Sequence, residues 1–151
     1  MIERADELKA IIKSKLKEKR YIHSLNVVDE AKKLAEKYGA DAEKAYICGL
    51  LHDAVKNCPE EEQLKLIREA GIELPPVEAD NPKLWHAPAG AAFMRDVIGI
   101  KDEDMFNALM YHTTARVGMS ILEKTIYIAD YISADRDYPG VEDMRKWAYE
   151  D

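Results

Sequence analysis

Cysteine is scarce in this chain: two residues, Cys48 and Cys58, in 151. That is too few for a disulfide framework. No CxxC spacing offers a thiolate zinc site, so reduced thiols in a cytoplasmic protein are expected. Positive charge is also short. Lys and Arg total 22 against 29 Asp and Glu, for a net charge of −7. That balance excludes the broad basic face of a nucleic-acid binder. It admits a polyanionic small substrate, provided that local cations or metals hold it. No apolar run approaches the ~18 residues of a membrane span. The opening "MIERADELKAIIKSKLKEKR" is charged throughout and does not read as a signal peptide. Neither a membrane nor a nucleic acid is therefore an expected partner. Alternating strand patterns, repeats and low-complexity tracts are absent as well.

What is present is helical spacing nearly everywhere. Leu8, Ile11, Ile12 and Leu16 mark a first helix over 3–18. Ile22, Leu25, Val28 and Leu34 mark a second, from about Arg20 to Tyr38, closed by Gly39. Asp41 reads as an N-cap for a helix reaching about Val55. "NCPEEEQLKLIREAG" places Pro59 near a helix start, acids in the first turn and Gly71 past the end. "IELPPVEADNPKL" is the one clear loop. Further helices are expected from His86 to Ile98, Asp102 to His112 and Met119 to Ser133, with a last one from near Val141. The length fits one domain over 1–151, an all-α bundle of roughly seven or eight helices. The final "VEDMRKWAYED" has no cap and no closing apolar turn, so truncation at the C-terminus is expected.

The chemistry-bearing residues are few. The four histidines, His23, His52, His86 and His112, each fall near a helix end or an apolar face. "GLLHDAVK" sets His52 and Asp53 at the end of an apolar segment. "TIYIADYIS" sets Asp130 among isoleucines and tyrosines. Asp130 could still lie on a polar stripe with Glu123 and Thr125. A buried carboxylate without a partner is costly, and a metal removes that cost. Two imidazoles and two carboxylates, His23, His52, Asp53 and Asp130, suit iron, manganese, cobalt, nickel or zinc without sulfur to favour zinc. A second ion could use His86 and His112, with Asp53 bridging. Paired ions are a recurring device for phosphoryl hydrolysis.

The order H…HD…D across helices resembles the HD-domain superfamily of metal-dependent phosphohydrolases. "RYIHSLNVVDEAKKLA", "GLLHDAVK", "WHAPAGA", "YHTTARVGMSILEKTIYIADYIS" and "DRDYPGVE" look like one branch of it. That branch is the bacterial symmetrical dinucleoside tetraphosphate hydrolases, and the likeness runs over about residues 20–145. The resemblance implies an HD-domain helical bundle, hydrolysis of diadenosine tetraphosphate into two ADP, and one or two iron ions, with manganese or cobalt as alternatives. It implies His23, His52, Asp53 and Asp130 as metal ligands, with Asp130 also beside the substrate. It puts His86, His112, Thr113 and Arg136 at supporting and nucleotide-binding positions. It also implies a C-terminal segment, beyond this chain's end, that helps close over an ADP-like or GDP-like nucleotide. A homodimer is compatible with it.

Residue types assign the remaining roles. Asp53 is catalytic through the metal. Lys56 follows it by one turn and stabilises phosphate charge, unless it only answers the helix dipole. His86 or His112 protonates the leaving oxygen or ligates a second ion. Arg136 clamps a phosphate, unless it pairs with Asp135 or Asp137. Thr113 and Thr114 offer hydroxyls, unless they only cap the next segment. Trp85 reads as core or loop anchor, Cys48 as core, and Lys124 and the acids of "PEEEQ" as solvated faces. The competing readings are another HD phosphohydrolase such as a 5′-nucleotidase, a non-catalytic nucleotide-binding module, and a purely structural bundle.

Overall fold

The computed structural model describes residues 1–150. The α-helices are α1 (Ala5–Lys15), α2 (Glu18–Tyr38), α3 (Ala42–Leu51), α4 (Glu60–Glu69), the one-turn α5 (Pro76–Ala79), α6 (His86–Ala92), α7 (Glu103–Met110), α8 (Ile121–Ile132) and α9 (Val141–Glu150). A π-helical turn, Phe93–Ile98, prolongs α6. No strand occurs among the described residues. Among the described residues no helix is long and apolar enough to cross a membrane. Apart from α5 the described residues form eight α-helices, in agreement with the count expected from periodicity.

Local chemistry fixes the ends. Asp41, Asp102 and Ser120 each accept from a backbone N–H three residues on, at 3.1, 2.9 and 3.1 Å, and so start α3, α7 and α8. Gly39, with φ of 81°, closes α2 in the left-handed conformation open to glycine. The "IELPPVEADNPKL" stretch contains α5 and a 3₁₀ turn at Pro82–Leu84, each begun at a proline where no N–H is missed.

The core is shared by α1, α2, α3, α7 and α8. Leu8, Ile12, Val27, Ile47, Leu50, Met105, Leu109 and Ile126 are fully buried in it. α2 lies against α3 and α8, and the contact with α3 is close. A Cβ on Gly49 would stand 3.2 Å from the Val28 Cα. Glycine there lets α3 approach the same helix that carries His23. α6 is built from Ala87, Pro88, Ala89, Gly90, Ala91 and Ala92, all buried, so its backbone passes near the end of α3.

Two expected boundaries move: the first helix stops at Lys15, where Leu16 turns extended, and the third stops short as well. α3 ends at Leu51 and does not continue to Val55. Beyond it the backbone bonds shorten to three-residue spans, Ala54 to Leu51, Lys56 to Asp53 and Cys58 to Val55. The His52 ring supplies the reason. Its Nδ1 donates to the Gly49 carbonyl at 2.7 Å, the acceptor that the Asp53 N–H would use in a continuing helix.

Candidate metal centre

Five elements deliver the site. α2 brings His23, the turn after α3 brings His52 and Asp53, the first residue of α6 is His86, and His112 follows α7. α8 brings Asp130 near its C-terminus. All four histidines are buried, as is Asp53. Each ring is anchored through Nδ1. His52, His86 and His112 donate to the carbonyls of Gly49, Lys83 and Leu109 at 2.7, 3.0 and 2.7 Å, and His23 donates to Asp135 Oδ2 at 2.6 Å. Carbonyls and ionised carboxylates only accept, so these contacts place a proton on Nδ1 and turn Nε2 towards the centre.

The carboxylates face those nitrogens in two groups. Asp53 Oδ2 lies 3.4 Å from His52 Nε2 and 3.8 Å from His23 Nε2. Asp53 Oδ1 lies 3.4 Å from His86 Nε2 and 3.6 Å from His112 Nε2. Asp130 Oδ1 approaches His23 and His52 at 2.8 and 3.5 Å. Asp53 therefore divides its oxygens between the pair His23–His52 and the pair His86–His112.

The electrostatics are those of a cation site. Burial works against charge on His52, yet Asp53 and Asp130 overcome it and raise its pKa to about 10. Asp53 is held well below the carboxylate range: His52 and His112 outweigh the cost of its burial. Asp130 is lowered against the same cost by its contacts with His23 and His52. Burial, aided by His112, drives His86 down to about 4 and keeps it neutral. The buried Nε2 atoms of His52 and His112 have no hydrogen-bond partner. Within two sets, His23–His52–Asp130 and His52–Asp53–His112, the donor atoms lie within 4.8 Å of one another. An oxygen and nitrogen donor set of this kind, with unpartnered nitrogens directed at carboxylates, fits a divalent transition metal.

Cations rim the centre. Arg20 Nη1 stands 3.3 Å from Asp53 Oδ2. Arg136 donates to the Asp130 carbonyl at 2.8 Å and to Asp130 Oδ1 at 2.9 Å; the alternative pairing with Asp135 or Asp137 does not form. Lys56 is partly buried, and that burial lowers its pKa despite Asp53. Thr113 has a buried hydroxyl without a partner, whereas Thr114 is exposed. Neither threonine caps α8, which Ser120 does.

Sequence reasoning missed four contributors. Asp135 looked like a surface partner for Arg136, but it orients His23. Arg20 lay within a quoted stretch and carried no assignment. Gln63, inside "PEEEQ", is buried, and its amide donates to the carbonyls of Val55, Lys56 and Cys58 at 3.1, 3.3 and 3.0 Å, tying the His52–Asp53 turn to α4. Arg116 grips the buried Glu123 through two contacts, at 2.9 and 2.6 Å, and fixes the segment after His112. The alternative reading of Asp130, a polar stripe with Glu123 and Thr125, does not hold as a solvated face, because Glu123 and Thr125 are buried. Trp85 anchors its loop by donating to the Glu78 carbonyl at 3.0 Å. Cys48 is core, and Lys124 is exposed.

The HD domain family model matches residues 20–135, the span that holds every residue of the centre. The chain belongs to the HD domain family. It is 46% identical to a Bacillus subtilis (strain 168) protein named symmetrical bis(5′-nucleosyl)-tetraphosphatase, over 97% of this chain and 78% of that protein. A Halalkalibacterium halodurans protein of the same name is 42% identical over 93% of this chain and 75% of its own length. Among solved structures, one from Clostridium acetobutylicum, described as a predicted HD superfamily hydrolase involved in NAD metabolism, superposes with a TM-score of 0.93. It is 46% identical and covers 97% of this chain and 78% of that one.

Proposed function

We propose that this chain is a metal-dependent hydrolase that cleaves dinucleoside tetraphosphates symmetrically, diadenosine tetraphosphate giving two ADP. The observation that carries the reading is Asp53, with one oxygen towards His23 and His52 and the other towards His86 and His112. The activity named for relatives at 42–46% identity supports it. His23, His52, Asp53 and Asp130 would hold the first ion, and His86 and His112 a second with Asp53 between them. Iron is the ion we infer, with manganese and cobalt as alternatives from the same donor types. When bound, such ions supply Lewis acidity for phosphate oxygens and ionise water near neutral pH.

The chain's own residues do the rest. Nδ1 anchors hold the four imidazoles rigid, so the ligand atoms need little reorganisation. His86 is neutral and suits a ligand role better than proton donation. Arg20, Lys56 and Arg136 meet the negative charge of the polyphosphate, Arg136 with the donors that its bonds to Asp130 leave over. The free hydroxyl of Thr113 donates to a phosphate oxygen. Hydrolysis forms one P–O bond from water and breaks the P–O bond at the middle of the tetraphosphate, and ADP leaves with that bridging oxygen. Two free thiols fit a reducing, cytoplasmic setting.

Product analysis tests the reading. Iron-loaded protein is incubated with diadenosine tetraphosphate, NAD and nucleoside monophosphates in separate reactions, and the products are separated by ion exchange. ADP alone from the tetraphosphate is expected. AMP plus ATP would contradict symmetrical cleavage, and turnover of only NAD or a monophosphate would assign another substrate.

A further inference from the structure

A dinucleoside tetraphosphate carries two nucleosides, and the residues assigned so far meet only phosphate and metal. Beside Asp130 the surface opens into a cavity of about 260 Å³, lined by Asp130, Tyr131, Arg136 and Tyr138. Pockets for whole small-molecule ligands run from roughly 300 to 1,000 Å³, so this one suits a part of a larger molecule. It also begins at the metal centre, since Asp130 is both a lining residue and a neighbour of His23 and His52. A larger cavity of about 400 Å³ between Leu34, Tyr38, Ile128 and Trp147 shares no residue with the centre.

The aromatic side of the small cavity is fixed. Tyr131 follows Asp130 on α8 and leaves 44% of its surface exposed. Tyr138 meets it edge-on, with ring centroids 5.4 Å apart at 69°, and its hydroxyl donates to the Tyr131 carbonyl at 2.9 Å. Tyr127 lies nearly parallel to Tyr131, at 9° and 6.4 Å. Arg136 is held across the cavity by its bonds to Asp130, with its side chain 35% exposed. Exposed aromatic faces beside a cation are the usual means of holding a base and its phosphate without reading sequence.

We propose that the Tyr131–Tyr138 cavity is a subsite for one nucleoside of the substrate. The base stacks on the Tyr131 ring, Tyr138 braces that ring, and Arg136 meets the phosphate that leads from the nucleoside to the metal centre. This rests on the dinucleotide reading above and adds where one base goes.

The test uses the iron-loaded full chain with Tyr131→Ala, Tyr138→Ala and Tyr131→Phe. KM and kcat are measured for diadenosine tetraphosphate, and Ki for inorganic tetraphosphate as a competitor that has no base. The expected result is a KM raised roughly tenfold in Tyr131→Ala, in line with loss of one base–aromatic stack. The change in kcat is smaller and Ki stays at the wild-type value. Tyr131→Phe restores most of the affinity because it keeps the ring. An unchanged KM in Tyr131→Ala overturns the subsite. So does a parallel rise in KM and Ki, which would mean that Tyr131 acts through Asp130. Failure of metal-loaded wild type to hydrolyse the dinucleotide counts against the proposed activity instead. The subsite is then judged by calorimetric binding of the dinucleotide and of inorganic tetraphosphate to wild type and Tyr131→Ala, where only dinucleotide affinity should fall.

Discussion

His52 and His86 titrate in opposite directions from the same ordinary value of 6.5, to about 10 and about 4. In metal-free protein, the stability from His52 is complete below pH 6.5 and is lost as pH rises towards 10, because the folded state then gives up a proton it had bound tightly. His86 acts on the acid side: the unfolded chain takes its proton near 6.5 and the folded one near 4, so stability falls as pH drops across that window. Denaturant midpoints in chelator should therefore peak near pH 6.5 and decline both ways, and a flat profile from 5 to 9 would contradict the buried cluster. Metal uptake should displace the His52 proton, so affinity should rise with pH through the neutral range. Asp135 belongs to this scale too. Removing a hydrogen-bond partner of a metal-bound histidine costs about 10- to 100-fold in metal affinity. Asp135→Ala should show that loss in a chelator competition, with Asp135→Asn losing less. His23, His52, Asp53 and Asp130 were legible as residues because acids and imidazoles among apolar neighbours stand out. Asp135 was not, since "SADRD" looks like any charged turn until the fold brings it against a helix more than a hundred positions away.

At the scale of elements, Gly49 sets the distance between α2 and α3. Alanine would gain roughly 1 kcal/mol of helix propensity, but its Cβ would stand 3.2 Å from backbone that cannot swing aside. Overpacking of that kind costs about 1–3 kcal/mol. Gly49→Ala should thus lower stability or leave it near wild type, and weaken metal binding by moving His23 relative to His52. A clear rise in both would contradict the close contact. Gln63→Leu keeps the volume but strips three carbonyls of their donor, and should cost about 1–3 kcal/mol in denaturant unfolding. Helix existence was readable from period and caps alone. The end of α3 was not, because the competitor for the Gly49 carbonyl is a side chain, and periodicity does not register side-chain donors. The π-helical turn at Phe93–Ile98 was equally invisible inside an unbroken helical pattern.

For the whole molecule, the centre joins α2, the turn after α3, α6, the end of α7 and α8, so a bound ion ties most of the fold together. A ligand present at a hundred times its Kd adds about 2.7 kcal/mol to stability. For a chain of this size each kcal/mol moves Tm by roughly 2–4 °C. Stripping the metal should therefore lower Tm by about 5–10 °C, and Asp53→Ala should abolish the difference between stripped and loaded protein. The class of fold and the residues of the proposed ligand set were open to sequence reading because each of them sits at a helix end or on an inward face. The division of Asp53 between two histidine pairs came only from the structure. The most direct test of this account is anomalous X-ray diffraction from crystals loaded with iron. A peak within about 2.0–2.3 Å of the His23 and His52 Nε2 atoms and of Asp53 and Asp130 oxygens is the predicted result, with any second peak beside His86 and His112. Iron bound elsewhere, with those six side chains arranged as they are without it, would contradict the account.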